Sequence, residues 1–258
     1  MALGRVNLWS QQRPQGRGDA DGRGRSIAQR NRRISPVPPP LKAVADEKQY
    51  LRAVLSEARS SLSAERVGAL SARVQRRLLA TQAYLAAAKV VLYAPLGREV
   101  DTALIAADAL RSQRQLYYPI ADRNHRRIRL GAVSDVGELR PGAFGILEPP
   151  ATGALEAEAL GSDLGAVLIC VPGIAFTPAA ARLGRGGGYY DRLLAALCAK
   201  AVTAGLSYSF QLIDRLPEQA HDRRLDLIVT ESAVYAASGA RCAAAQAADQ
   251  GGSPKWAC

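Results

Sequence analysis

The chain has 258 residues, 48% hydrophobic and 22% charged, a composition that fits one ample globular domain or two small ones and excludes a disordered or fibrous protein. No apolar run approaches the roughly 20 residues that span a bilayer, so no membrane partner is expected. The net charge of +11 is uneven: residues 1–40 hold eight arginines against Asp19 and Asp21, a net of +6, and a body carrying the remaining +5 suits anionic small substrates without demanding nucleic acid.

Residues 1–43 lack apolar periodicity. Gly16-Arg17-Gly18, Gly22-Arg23-Gly24-Arg25 and the proline-rich end at 36–40 read as a disordered basic extension. It is a dispensable tail or upstream sequence from a misplaced start, a transit peptide, or a nucleic-acid-binding arm. The second reading suffers from its glycine and proline, the third from its lack of interleaved aromatics. A single α/β domain is expected over 44–237, followed by a flexible tail at 238–258.

A helix is expected at 46–60, capped by Asp46, with Tyr50, Val54, Leu55 and Ala58 as its inward stripe. Lys48 and Arg52 share a face of it, and the ordinary meaning of such a pair is a solvated basic face. A second helix over 63–79 repeats Val67, Leu70, Val74 and Leu78 at steps of three and four, leaving Arg73, Arg76 and Arg77 in solvent. Residues 89–94 read as the first core strand. Pro95-Leu96-Gly97-Arg98 then turns into Glu99-Val100-Asp101-Thr102, whose acids could simply cap a helix over 102–111. Further strands are expected at 115–119, 128–130, 201–206 and 225–230. Between them lie a polar loop at 122–129 with a solvated His125, and turn-rich residues 142–150.

The most informative stretch spans 164–200. It begins as an apolar strand, 164–171, bounded by Asp163 and Pro172. Pro172-Gly173-Ile174-Ala175-Phe176 follows, then Arg182-Leu183-Gly184-Arg185-Gly186-Gly187-Gly188-Tyr189-Tyr190-Asp191, then Leu193, Leu194 and Leu197 at helical spacing. Four glycines within five positions free the backbone for positive φ and present consecutive N–H groups. Ahead of a helix these form a concave anion site. Arg182 and Arg185 add fork-shaped donors suited to phosphate. The loop is not a P-loop, because no Gly-Lys-Ser/Thr follows. It is not the dinucleotide fingerprint either, whose third glycine falls on Tyr189. From the glycines alone, a flexible surface loop is an equal reading.

Strands alternating with helices argue for a three-layer α/β/α sandwich with a mostly parallel, Rossmann-like central sheet. Ligands in such sheets sit beyond the carboxyl ends of the strands. Loops after Ala94, Tyr118 and Val171 would then converge, bringing Glu99, the segment near His125 and the glycine loop to one edge. Cys170, Cys198, Cys242 and Cys258 form no Cys-x-x-Cys pair, and His125 and His221 are the only histidines. A zinc site is not indicated; a reduced, cytoplasmic compartment is. Cys170 reads as a small core residue.

Pro-Gly-x-Ala-Phe, a short spacer and Arg-Leu-Gly-x-Gly-x-Gly-Tyr-Tyr-Asp together resemble the signature of the 5-formyltetrahydrofolate cyclo-ligases, also called methenyltetrahydrofolate synthetases. The resemblance covers about residues 46–232. Lys48-x-x-x-Arg52 looks like the family's basic pair, Glu99-Val100-Asp101-Thr102 like its folate-holding segment, and His221-Asp222, Asp226 and Thr230-Glu231 like its closing segment. It implies ATP-dependent closure of 5-formyltetrahydrofolate to 5,10-methenyltetrahydrofolate with Mg²⁺, through a phosphorylated formyl group. It further implies ATP on Lys48, Arg52, Arg182, Gly184, Arg185, Gly186, Gly187, Gly188, Tyr189 and Tyr190. Folate would meet Glu99, Arg185 and Tyr189; Arg182, Arg185 and Tyr189 would stand at the reacting centre; Asp191 and Asp222 would carry Mg²⁺. A monomer is expected. Three positions depart from the family pattern: Thr177 where Asp is frequent, Ala180 where glycine is usual, and Gly187 where some members carry lysine. The competing readings are a fold-mate that binds another phosphorylated small molecule, and a basic nucleic-acid-binding protein.

Overall fold

A computed structural model describes residues 44–160, 166–197, 201–219 and 222–237. The expected basic extension 1–43 and tail 238–258 lie outside these residues, as do residues 164 and 165, His221, Cys198, Cys242 and Cys258. The chain opens with α1 (Val44–Ser60), α2 (Ala64–Leu79), a single turn α3 (Gln82–Leu85) and β1 (Ala87–Val91). Next come α4 (Ala103–Arg111), β2 (Gln115–Asp122), β3 (Arg127–Val133), the short pair β4 (Arg140–Pro141) and β5 (Leu147–Glu148), and α5 (Ala157–Leu160). The second half holds β6 (Ala166–Val171), β7 (Ala175–Phe176), β8 (Arg182–Leu183), α6 (Tyr189–Leu197), β9 (Ala201–Leu206), β10 (Leu227–Val229) and β11 (Val234–Ala236).

Seven strands form one sheet in the order β11-β10-β9-β6-β1-β2-β3. Its inner pairings are parallel and its two edge pairings, β2 with β3 and β10 with β11, antiparallel. The expected α/β sandwich is therefore what forms. Leu70, Val74, Leu78 and Ile105 of α2 and α4 close one face over Val90, Leu116 and Leu168. Leu160, Leu193 and Leu197 of α5 and α6 close the other over Val91, Ile169 and Val171. From β1 the chain steps outward to β2; from β6 it steps the opposite way, to β9 and β10. The loops leaving β1 and β6 therefore part, and a crevice opens at their carboxyl ends.

Several elements differ from expectation. α1 starts at Val44, so Asp46 lies in its first turn rather than at the cap. Its inward stripe is Lys48, Leu51, Leu55 and Arg59; of the expected Tyr50, Val54, Leu55 and Ala58, only Leu55 is fully buried. The reason is its partners: α1 docks on the β7–β8 ribbon, where Leu51 and Leu55 meet Ala175, Leu183 and the nearby Ile213, and its Lys48 and Arg59 reach Asp222 and Glu99. β1 ends at Val91, and 92–94 run on towards the crevice. β3 is longer than 128–130 because pairing along the whole of β2 outweighs its arginines. The ribbon itself and β11 were not legible as strands: each is two or three residues long and exists through its partner.

Two members of the expected closing segment hold the fold instead. The Asp226 carboxylate accepts from the Thr203 N–H (2.9 Å) and hydroxyl (2.7 Å), tying β9 to the lead-in of β10. Thr230 accepts from Ser232 and Ala233 N–H across the β10–β11 turn. Thr177 plays a turn role as well: its hydroxyl accepts from Ala181 N–H at 3.1 Å. Ala180 sits at φ +62° in the same turn, fully buried. Left-handed backbone costs an alanine about 1–2 kcal/mol, and burying its methyl returns roughly 0.8, so the position tolerates alanine where glycine would be easier.

Replacing Asp226 by alanine strands two buried donors of Thr203. The expected loss of stability is about 2–3 kcal/mol, read as a lower denaturation midpoint. An unchanged midpoint would show that Asp226 does not tie these strands.

Candidate functional site

The glycine loop lies where the crevice demands it, and it is a wall with two sides. On one side is a mostly apolar cavity of about 510 Å³ bounded by Tyr93, Phe144, Tyr189 and Tyr190, with the pairs Glu99–Arg185 and Asp191–Arg182 and the Glu148 carboxylate among its lining. On the other is a cavity of about 540 Å³ rimmed by the cations Lys48, Arg52, Arg126, Arg182, Arg192 and Arg223, against the carboxylates of Asp191 and Asp222. Gly184, Gly186, Gly187 and Gly188 face both. Gly186 at φ +97° and Gly188 at φ +68° use the conformational freedom that their lack of Cβ provides. The loop runs straight into α6, whose N-terminal N–H groups are of the kind that suits an anion.

α1 holds the basic side together. Arg52 Nε donates to Gly184 O at 2.9 Å, bracing the loop from behind. Lys48, 7% exposed, donates to Asp222 (2.6 Å) and to Gln219 Oε1 (3.0 Å). The solvated-face reading of this pair is thereby overturned: both cations point into the site. Arg59, one turn pair further along the same face, is buried too. Its guanidinium donates to Gly173 O (3.2 Å) and stands 3.8 Å from Glu99, while burial pulls its pKa down and Glu99 opposes that.

Glu99 is not a helix cap. Asp101 and Gln75 meet the first N–H groups of α4: Ala103 N–H donates to Asp101 at 3.1 Å and Leu104 N–H to Gln75 Oε1 at 2.8 Å. Glu99 is buried, accepting from Arg185 (2.8 Å) and from Leu96 N–H (3.0 Å). Its backbone carbonyl takes a hydrogen bond from Tyr208, whose hydroxyl also meets Ser71. Burial pushes the Tyr93, Tyr190 and Tyr208 phenols up, and the charge of Glu99 adds to this for Tyr93 and Tyr190. These tyrosines stay neutral, able to stack and donate hydrogen bonds.

The expected site residues divide between the cavities. Lys48, Arg52 and Asp222 lie on the basic side; Glu99, Arg185, Tyr189 and Tyr190 on the apolar side; Arg182, Asp191 and the loop glycines on both. Arg185, expected to meet both ATP and folate, pairs with Glu99 on the apolar side. The Arg182 side chain is 4% exposed and anchored to Asp191 at 2.6 Å, with a buried Nε that makes no hydrogen bond. His125 is a surface residue paired with Asp122, as a solvated loop predicts. Cys170 is buried in β6, and burial raises its thiol pKa, as suits a core residue.

Sequence reading missed Arg59 and Phe144. The spacing of Lys48, Arg52 and Arg59, four then seven, was the available signal for the first. For Phe144 there was none. It sits at φ +59° on a turn, edge-on to Tyr189 at 5.7 Å, and Arg123 covers its ring at 4.6 Å.

Among the described residues no group of three or more His, Cys, Asp or Glu could hold a metal ion by itself. Asp191 and Asp222 nevertheless line one cavity beside cations. Mg²⁺ is commonly held by one or two carboxylates plus phosphate oxygens, and this donor set fits that arrangement rather than an all-protein cage.

The family model for the 5-formyltetrahydrofolate cyclo-ligase family matches residues 44–231. The chain belongs to this family. Over 154 residues it is 33% identical to the mitochondrial 5-formyltetrahydrofolate cyclo-ligase of Arabidopsis thaliana, covering 53% of this chain and 56% of that one. The match thus spans about half of that relative's length. It is 28% identical over 195 residues to the 5-formyltetrahydrofolate cyclo-ligase of Mus musculus, covering 73% of this chain and 95% of that one. The solved Aquifex aeolicus 5,10-methenyltetrahydrofolate synthetase superposes with a TM-score of 0.63 at 35% identity, covering 73% of this chain and 92% of that one. The cyclo-ligase fold expected from the glycine loop is thus the fold observed.

An alanine at Gly186 would be held at a φ that L-residues avoid, at about 1–3 kcal/mol, with its Cβ 3.5 Å from the Arg52 guanidinium. Titration calorimetry of Gly186→Ala with Mg-ATP should show affinity lower by about tenfold. Unchanged affinity would show that the loop does not carry the phosphates.

Proposed function

We propose that this cyclo-ligase family member closes 5-formyltetrahydrofolate to 5,10-methenyltetrahydrofolate while converting ATP to ADP and phosphate, within a catalytic domain spanning 44–237. One observation carries the reading: a glycine-rich wall, with Arg185 as its one side chain between Gly184 and Gly188, separates a cation-rich cavity from an aromatic one, so a phosphoryl group and a flat ring can meet there. The names of the Arabidopsis, mouse and Aquifex relatives point the same way.

A formamide oxygen is a poor leaving group, and phosphorylating it solves that problem. The γ-phosphoryl group moves to the formyl oxygen and ADP departs. N10 then attacks the formyl carbon and loses its proton, and phosphate leaves. Charge spreads over the oxygens of the transferred group, so fixed cations and dipoles supply most of the catalysis. Lys48 and Arg52 hold the phosphates from the α1 side, and the Gly186–Gly188 amides from the loop. Arg182, anchored between the cavities, meets the charge that develops on the transferred group. Glu99 accepts hydrogen bonds from the pterin, with Arg185 steering that carboxylate or the formyl oxygen. Tyr189 and Tyr190 supply a stacking surface. Mg²⁺, held by Asp191, Asp222 and the phosphates, would supply charge neutralisation. The working unit in this reading is a monomer. The buried free thiol of Cys170 is compatible with a reducing compartment such as the cytoplasm.

Absorbance should report methenyltetrahydrofolate formed from 5-formyltetrahydrofolate only when both ATP and Mg²⁺ are present. No product under those conditions would end the proposal. Glu99→Gln should raise the folate KM about tenfold or more, since a hydrogen bond to a charged group contributes roughly 1.5–3 kcal/mol, and should leave ATP affinity in place. Equal weakening for both ligands would remove Glu99 from the folate side.

A further inference from the structure

The cation-rich cavity has a contributor that no motif announced. The hairpin between β2 and β3 carries Arg123, Arg126, Arg127 and Arg129 at or near its tip. Three are accounted for: Arg127 pairs with Asp122 and Glu156, Arg129 with Glu156, and Arg123 lies on the Phe144 ring. Arg126 is different. It lines the cavity, and among the described residues it makes no ion pair. Its guanidinium instead reaches the carbonyl of Gly187, in the middle of the glycine loop, at 3.5 Å. Arg192 of α6 donates to the same carbonyl at 3.0 Å and, through Nε, to the backbone carbonyl of Arg126 itself. The hairpin tip is thus clasped to the loop with one guanidinium left at the cavity wall.

Backbone conformation adds an independent argument. Arg126 stands at φ +50°, in the left-handed region that glycine occupies at least cost. The turn would be easier with glycine, so the backbone does not require the arginine. A long-range carbonyl contact of 3.5 Å is weak recompense. A phosphate oxygen, carrying full negative charge and accepting two parallel N–H bonds, is a far better partner for that fork than an amide carbonyl.

We propose that Arg126 is a phosphate-binding residue for the nucleoside triphosphate, delivered across the glycine loop by the β2–β3 hairpin and positioned by Arg192. The inference rests on the reading of the cation-rich cavity as the ATP site. On arrival of the triphosphate, the Arg126 guanidinium leaves the Gly187 carbonyl for a phosphoryl oxygen, while Arg192 keeps the hairpin tip docked.

The test is Arg126→Gly in the full chain, measured two ways. Titration calorimetry with Mg-ATP should show a Kd raised about tenfold, and the thermal unfolding midpoint should not fall, because glycine suits the backbone. Arg126→Lys should recover part of the affinity, having the charge but not the fork. Arg127→Ala removes a neighbouring arginine committed to carboxylates and should leave the Kd in place. Unchanged ATP affinity in Arg126→Gly would overturn the proposal, as would a lowered midpoint with proportionate loss of binding, or an equal loss in Arg127→Ala. Wild-type protein that bound no Mg-ATP would instead contradict the ATP reading of the cavity, an outcome distinct from the failure of Arg126.

Discussion

Everything in this molecule is arranged around a wall that must be thin. In the proposed reaction a polyanionic triphosphate and a flat pterin exchange a phosphoryl group, so the two have to come within bonding distance. No single cavity lining suits both. A strip of glycines broken only by Arg185 suits each side because it offers N–H groups and little side-chain bulk. Such a strip cannot hold its own shape, and the surrounding structure reflects that. Arg52 braces Gly184, Arg192 grips Gly187, and α6 begins where the loop ends.

The second constraint is charge. Lys48, Arg59 and Glu99 are all removed from water, and a buried unpaired charge is costly enough that partners must be provided. They are provided from segments far away in the chain: Asp222 for Lys48, and Arg185 together with Arg59 for Glu99. These pairings connect α1, the loop after β1, the glycine loop and the segment before β10. The electrostatics of the site and the docking of the first helix are therefore one requirement, and α1 is positioned as much by its cations as by Leu51 and Leu55.

How far the sequence speaks depends on the range of the interaction. Helix α2 and strand β9 were legible because their patterns are local: leucines and valines at helical steps in one, an apolar run in the other. The glycine loop was legible because its composition and its position before a helix carry their own chemistry. The inward face of α1 was misread, since Lys48 and Arg59 look like solvent residues until their carboxylates arrive. The β7–β8 ribbon and β11 could not be read at all, because strands so short have no pattern apart from their partners.

By itself the sequence determined the alternation of strands and helices, the glycine loop ahead of a helix and the membership that the loop's signature implies, because each is written in neighbouring residues. Tertiary structure alone decided which face of α1 is buried, that Arg185 pairs with Glu99, and that Phe144 and Arg126 line the two cavities. Those outcomes depend on which distant groups share a cavity once water is excluded, and no spacing along the chain encodes that.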